Sequence, residues 1–202
     1  MVTQIDYYFS LISPWTYLGA ARLEEIAARH RARVLVKPVD YGQIFPVSGG
    51  LPLAKRAKQR QDYRLVELKR WREYAGVPLT LQPAFFPAAE GLAARMVIAA
   101  AGQGADALGL AHAILRAVWA EERNIADRDT LRAIARSLRL DDSGLLAAAE
   151  TPPIIAAYAA NTAEAIASGV FGAPTYIVEG EMFWGQDRLD FLDRALAKHV
   201  AD

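Results

Sequence analysis

Ser13 and Pro14 are the first residues whose types and spacing point to chemistry. They follow the short aromatic segment at residues 4–9 and precede an amphipathic one, and a serine followed by proline is a common helix start. A serine hydroxyl and the first amides of a helix can together stabilise an anion, because the helix dipole is positive at that end. Taken alone, Ser13 has a simpler interpretation as a helix cap. The serine therefore predicts either a cap or an anion site.

Two later segments carry the remaining candidates. In residues 171–175 (FGAPT), Pro174 opens a strand after a glycine and an alanine. Proline cannot donate to a strand ladder and sits at its start, so this Ala173–Pro174 bond is a candidate cis peptide. Residues 184–188 (WGQDR) lead into the final helix, where Asp187 could be only a cap.

The composition excludes several classes of protein. The chain of 202 residues contains no cysteine, which excludes disulfides, thiolate metal sites and a thiol oxidoreductase. No metal is expected, because the three histidines are widely separated and form no ligand motif: His30, His112 and His199. Equal numbers of basic and acidic residues, 23 each, do not favour nucleic acid as a partner. We find no long apolar run and no signal peptide, so we expect no membrane contact and a cytoplasmic location.

Residues 54–75 depart from this charge balance. The simpler interpretation is a solvated helix face with pairs one turn apart, such as Lys58 with Asp62. The alternative is a local attraction for an anionic ligand. The segment contains eight basic residues: Lys55, Arg56, Lys58, Arg60, Arg64, Lys69, Arg70 and Arg72.

The order of elements predicts an α/β fold. A strand at 4–9, a helix from 13 to 30 and a strand at 33–39 are followed by more than a hundred residues without a strand signal. Residues 41–53 are expected to form a loop. Helices are expected at about 52–75, 88–101, 105–122, from Asp127 or Asp129 to 138, 141–149 and 151–168, before strands at 174–178 and 182–184 and a helix at 187–198. We therefore predict a thioredoxin-like fold interrupted by an all-helical insertion, with residues 1–50 and 170–202 in the first domain and 51–169 in the second.

Three segments in this order make the chain recognisable: residues 7–19 (YYFSLISPWTYLG), 160–178 (ANTAEAIASGVFGAPTYIV) and 180–192 (GEMFWGQDRLDFL). Over nearly its whole length the chain resembles the 2-hydroxychromene-2-carboxylate isomerases and kappa-class glutathione transferases, thioredoxin-like relatives of DsbA. In that family a serine replaces the first cysteine of the redox motif. Ser13 matches that catalytic serine, whereas Ser10 does not.

The resemblance implies glutathione as the cofactor. The backbone of Ala173, before Pro174, would pair with the tripeptide, and Gln186 and Asp187 would contact its γ-glutamyl end. Pro14 and Trp15 would line the thiol end. Two positions depart from the family pattern, since Gly50 stands where an asparagine is frequent and Gln186 where kappa transferases often have serine.

The resemblance also implies an activity and partners. We expect a glutathione-dependent isomerase that rotates a conjugated bond of an aromatic keto acid after reversible thiolate addition. The alternatives are a kappa-like glutathione transferase and a non-enzymatic glutathione- or ligand-binding protein. A small aromatic electrophile and a second copy of the chain, as a homodimer, are the expected partners. Trp71, Phe85 and Phe86 are weaker candidates for the substrate pocket, because aromatic residues are more often core.

Overall fold

The computed structural model describes residues 3–199, and the outer limits predicted for the first domain, residues 1 and 202, lie outside them. A four-stranded sheet has the order β2-β1-β3-β4. Strand β1 pairs parallel with β2 and antiparallel with β3, which pairs antiparallel with β4. The strands are β1 (Gln4–Phe9), β2 (Arg33–Pro38), β3 (Thr175–Val178) and β4 (Glu181–Trp184). In the described sheet β2 is an edge strand ending in Pro38, as its proline predicts.

The helices between these strands follow the capping signals of the sequence. Asp106, Asp127 and Asp141 each accept a hydrogen bond from the backbone amide three residues later. Gly76 ends α3 in the left-handed region with φ of 64°, so the predicted stop there is confirmed. The helices are α1 (Pro14–His30), α2 (Tyr41–Ser48), α3 (Lys58–Ala75), α4 (Gly91–Gly102), α5 (Ala107–Trp119), α6 (Arg128–Ser137), α7 (Asp142–Ala149), α8 (Pro152–Ala167) and α9 (Leu189–His199).

The prediction of a loop at residues 41–53 is wrong, because α2 occupies its first part. Asp40 caps this helix by accepting a hydrogen bond from the amide of Gly42 at 2.8 Å. Tyr41 and Ile44, one turn apart, are both buried. This packing stabilises a helix whose glycine, proline and serine content disfavours it locally. The prediction of one helix over 52–75 is also wrong, since a short 3₁₀ turn, Leu53–Lys55, precedes α3.

Alternating side chains of β1 separate two apolar clusters. Ile5, Tyr7 and Phe9 belong to the main core, which also includes residues of α1, α9 and helices α3 to α7. Tyr8 points to the smaller cluster, with Ile44 of α2 and Ala165 of α8. The main core thus runs without interruption from the sheet into the helical region. No helix in the described part of the chain is long and apolar enough to cross a membrane.

Candidate active site

Ser13 lies between β1 and α1 and caps the helix, as the sequence predicts. Its hydroxyl oxygen accepts a hydrogen bond from the amide of Thr16 at 3.2 Å, and Pro14 is the first helical residue. The serine is half-buried, not sealed in the interior. Within residues 3–199 its hydroxyl proton has no acceptor, and the amide of Trp15 also has none. Two donors are therefore available at the positive end of α1.

The segment before β3 is fixed beside this helix start. The Ala173–Pro174 bond is cis, as predicted. The carbonyl of Gly172 accepts hydrogen bonds from the hydroxyls of Tyr41 at 2.7 Å and Thr175 at 2.6 Å. By contrast, neither the amide nor the carbonyl of Ala173 pairs with another described group of the chain. This segment thus presents one unpaired amide and one unpaired carbonyl, both of Ala173.

The sheet register brings Pro174 to the end of β1 from which the chain continues to Ser13. Tyr8 of β1 pairs with Thr175 of β3, so Pro174 follows in line with Phe9. The amide of Ser13 donates to the carbonyl of Ser10 at 3.2 Å, which turns the loop back toward the sheet end. Ser13 and Pro174, far apart in sequence, therefore lie at the same end of the sheet.

The loop between β4 and α9 borders the same place. The amide of Gly185 donates to the carbonyl of Pro174 at 2.9 Å. Gln186 is buried at 5% exposure against Gly19 of α1, so tightly that a Cβ on that glycine would lie 2.8 Å from the Gln186 Cβ. Asp187 is exposed and forms an ion pair with Arg188 at 3.3 Å. At this loop Asp187 offers an accessible carboxylate, while the Gln186 side chain is enclosed.

Gly50 follows α2, whose end borders the Ala173 segment through a shared apolar cluster with Phe45. The Phe45 ring lies directly on Gly50, and a Cβ there would meet a ring carbon at 2.3 Å. An asparagine at this position would displace the ring. The departure from the family pattern thus has a packing reason.

The predicted aromatic lining divides into enclosed and exposed residues. Trp15, Trp71 and Phe86 are partly buried and pack against the main core. Phe86 also contacts Trp119, with ring centroids 5.0 Å apart. Phe85 is 44% exposed.

Glu90, at the start of α4, is the site residue that sequence reasoning missed. Its carboxylate accepts hydrogen bonds from the Ser10 hydroxyl at 2.8 and 3.0 Å and from the Leu11 amide at 2.5 Å. Burial raises the pKa of Glu90 to about 7, although these hydrogen bonds favour the ionised form. A lone acid in the apolar segment PAAEGL was the available signal. The helical region thereby fixes the loop that carries Ser13.

His112 of α5 is partly buried and contacts α1. Its Nδ1 pairs with the Glu24 carboxylate of α1, and this hydrogen bond lowers the pKa of Glu24. The pair joins α5 to α1. Residues 3–199 contain no group of three potential metal ligands.

Comparison with known proteins agrees with this geometry. The model of the DSBA-like thioredoxin domain matches residues 4–197. The chain is 31% identical over 197 residues to 2-hydroxychromene-2-carboxylate isomerase from Sphingobium xenophagum, covering 97% of this chain and 99% of that protein. The protein of the same name from Pseudomonas putida is 32% identical over 199 residues, with 96% and 94% covered. A solved structure of 2-hydroxychromene-2-carboxylate isomerase superposes with a TM-score of 0.84 at 26% identity, covering 98% of this chain and 96% of that one.

Fold and site together define a thioredoxin-like domain whose redox cysteines are absent. The chain belongs to the DsbA-like thioredoxin family, and within it to the group of the 2-hydroxychromene-2-carboxylate isomerases. The resemblance and the fold class expected from the sequence are confirmed.

Proposed function

We propose that this protein is a glutathione-dependent isomerase of the 2-hydroxychromene-2-carboxylate type. The observation that carries the proposal is the free hydroxyl donor of Ser13 at the start of α1, at the same sheet end as the unpaired backbone of Ala173. Because the chain has no cysteine, an addition mechanism that uses a thiolate needs a thiol from a bound molecule. The names of the full-length relatives support the isomerase activity.

The described residues fit a γ-glutamyl tripeptide. Ala173 offers one amide and one carbonyl to a peptide backbone, in the manner of an added strand residue. Asp187 supplies an exposed carboxylate for the ammonium group, and its pairing with Arg188 is a weak surface contact that a ligand can replace. The half-buried Ser13 and the partly buried Trp15 would enclose the sulfur.

The donors at Ser13 are sufficient to stabilise a thiolate at neutral pH. A free thiol has a pKa of about 8.5, and lowering it by about two units requires about 2.7 kcal/mol. A helix N-terminus contributes about 0.3–1 kcal/mol, and a hydroxyl hydrogen bond to a charged acceptor about 1.5–3 kcal/mol. The serine therefore acts as a hydrogen-bond donor to sulfur and needs no adjacent base.

Bound glutathione would supply a thiolate for reversible addition to the conjugated double bond of an aromatic keto acid. The chain's own residues would orient the bound tripeptide and exclude water from its sulfur. Ser13 and the Trp15 amide would direct hydrogen bonds at the sulfur, and Ala173 would fix the peptide. Trp15 would cover the thiol end on its apolar side.

Replacing Ser13 by alanine tests the proposal. We expect Ser13→Ala to lower glutathione-dependent turnover of hydroxybenzylidene pyruvate roughly 10- to 150-fold, because one hydrogen bond to the thiolate is lost. The matched control is Ser143→Ala, an exposed serine on α7, which should retain full activity. Unchanged turnover in Ser13→Ala would remove the serine from the mechanism.

Two alternative functions give different results when turnover, its products and glutathione binding are measured. A kappa-like transferase releases a stable glutathione adduct, which mass spectrometry detects, whereas an isomerase returns glutathione unchanged. A protein that only binds ligands shows no turnover, and calorimetry with glutathione measures its affinity. The homodimer and the cytoplasmic location stay predictions, to be tested by light scattering and by cell fractionation.

A further inference from the structure

A second concave surface lies between α3 and the segment at residues 81–86. It forms a half-open cavity of about 370 Å³, within the range of small-molecule sites. The lining is apolar and polar in nearly equal parts, with one cation and one acid among its polar groups. The residues that matter are Leu53, Asp62, Arg64, Leu65, Leu81 and Phe86.

Arg64 is the cation, and it is held in place by aromatic rings. Its guanidinium carbon lies 5.3 Å from the centroid of Phe86 and 5.6 Å from that of Trp119. Its Nη2 is buried and has no hydrogen-bond partner among the described residues. The indole nitrogen of Trp119 is likewise buried without an acceptor. Two donors in one aromatic cluster are thus unsatisfied.

The charge of Arg64 is not neutralised by the acids nearby on α3. Asp62, which also lines the cavity, pairs with Lys58 at 2.6 Å, and Glu67 pairs with Arg70 at 2.6 Å. Arg64 forms no ion pair with a described carboxylate. Burial, with a smaller effect of Arg56, lowers the pKa of Arg64 to about 10, so the side chain is still cationic at neutral pH. A partly buried cation without an anion loses some of its hydration, which favours an anionic ligand.

We propose that this cavity binds the carboxylate of a planar aromatic acid through Arg64, with Phe86 and the apolar lining against the ring. The proposal rests on the isomerase function, since that function takes an aromatic acid as its substrate. A guanidinium group donates a charge-assisted hydrogen bond to a carboxylate through whichever N–H faces the cavity, and aromatic walls suit a flat ring. The site also gives a role to Arg64, one of the eight basic residues in the segment 54–75.

The test is a binding measurement without glutathione. Trans-2-hydroxycinnamate, a flat aromatic acid with a poorly electrophilic double bond, is titrated calorimetrically against the full protein, together with its methyl ester. We expect the wild type to bind the acid roughly 10- to 100-fold more tightly than the ester, because a charged hydrogen bond is lost. Equal affinities for acid and ester in the wild type would overturn the proposal without any variant.

Arg64→Met removes the charge and keeps an apolar stem for packing against Phe86. We expect it to lose the preference for the acid, whereas Lys69→Gln, which removes an exposed charge from the same helix, should keep it. Unchanged affinity of a folded Arg64→Met for the acid would contradict the assignment. With the proposed substrate, Arg64→Met should raise KM more than it lowers kcat.

Failure of the isomerase function gives a different result. Ser13→Ala should bind the cinnamate probe as the wild type does, because the probe needs no thiolate. If turnover proves independent of glutathione while the acid still binds through Arg64, the carboxylate site stands and the proposed glutathione-dependent function fails. If turnover depends on Ser13 and the acid binds no better than its ester, the function stands and the carboxylate site fails.

Discussion

Ser10 and Ser13 lie three residues apart in one loop and have opposite roles. The Ser10 hydroxyl donates to Glu90, so its proton is occupied within the fold. The Ser13 hydroxyl accepts from Thr16 and keeps its proton available. Residue type alone does not distinguish the two serines. The distinction comes from a carboxylate located eighty positions away from Ser10.

Glu90 makes the stability of the protein depend on pH. Its folded pKa of about 7 lies above the ordinary value of 4.5, so the native state retains a proton that the unfolded chain releases. The free energy of unfolding therefore falls as pH rises from about 4.5 to 7, and the loss persists above that range. In Glu90→Gln this contribution is absent. We therefore expect the difference in unfolding free energy between wild type and variant to change by about 1–3 kcal/mol over this pH range.

Denaturant unfolding at pH 4.5 and pH 8 measures this difference. The groups whose charge acts with Glu90 are Asp40, Tyr41 and Tyr158, and all stay in place in the variant. Glu73→Gln, which removes an exposed carboxylate from α3, is the matched control and should follow the wild type. A parallel pH dependence in wild type and Glu90→Gln would show that the acid titrates normally.

Part of the candidate site is predictable from the sequence because its signals are local. Ser13 before Pro14 marks a helix start, and Pro174 after a glycine and an alanine marks the start of a strand. Glu90 and the enclosure of Gln186 are not predictable in this way, since each depends on a partner that only the fold brings near. Gly50 belongs to the same class, as its role depends on where the Phe45 ring packs.

At the level of elements, prediction succeeds where a cap or a breaker marks the chain. Helices α5 to α7 begin after aspartates and α3 ends before a glycine, close to the expected bounds. Helix α2 is the exception, because burial of Tyr41 and Ile44 outweighs its poor intrinsic helix propensity. The local signal for that burial is weak, because the aspartate cap and two apolar residues one turn apart stand against a glycine and a proline inside the helix.

The contact between α1 and the turn Gln186–Arg188 depends on Gly19. Gly19→Ala places a methyl group 2.8 Å from the Cβ of Gln186, so turn and helix must separate. We expect this variant to lose about 1–3 kcal/mol of unfolding free energy, measured by denaturant titration. Gly102→Ala is the control: its Cβ meets nothing within 4 Å, and it should gain about 0.5–1 kcal/mol. Equal stability of the two variants would show that the contact is loose.

At the scale of the whole molecule, one apolar core joins the sheet to the helical region. Buried residues of β1, α1, α4 and α5 belong to a single cluster. The division into residues 1–50 with 170–202 and 51–169 remains a prediction about chain segments. Because the core is continuous, we expect one cooperative thermal transition, with calorimetric and van't Hoff enthalpies in agreement. Two resolved transitions would show that the segments unfold independently.

The bond between Ser10 and Glu90 has a consequence for protein engineering. A chimera that combines this sheet with the helices of another family member would inherit the loop without its carboxylate anchor, unless the donor helices bring an acid to the same place. Ser10 and Glu90 should therefore be transferred together. Directed evolution of the helices toward other substrates would have to keep Glu90, even where the neighbouring residues can be changed.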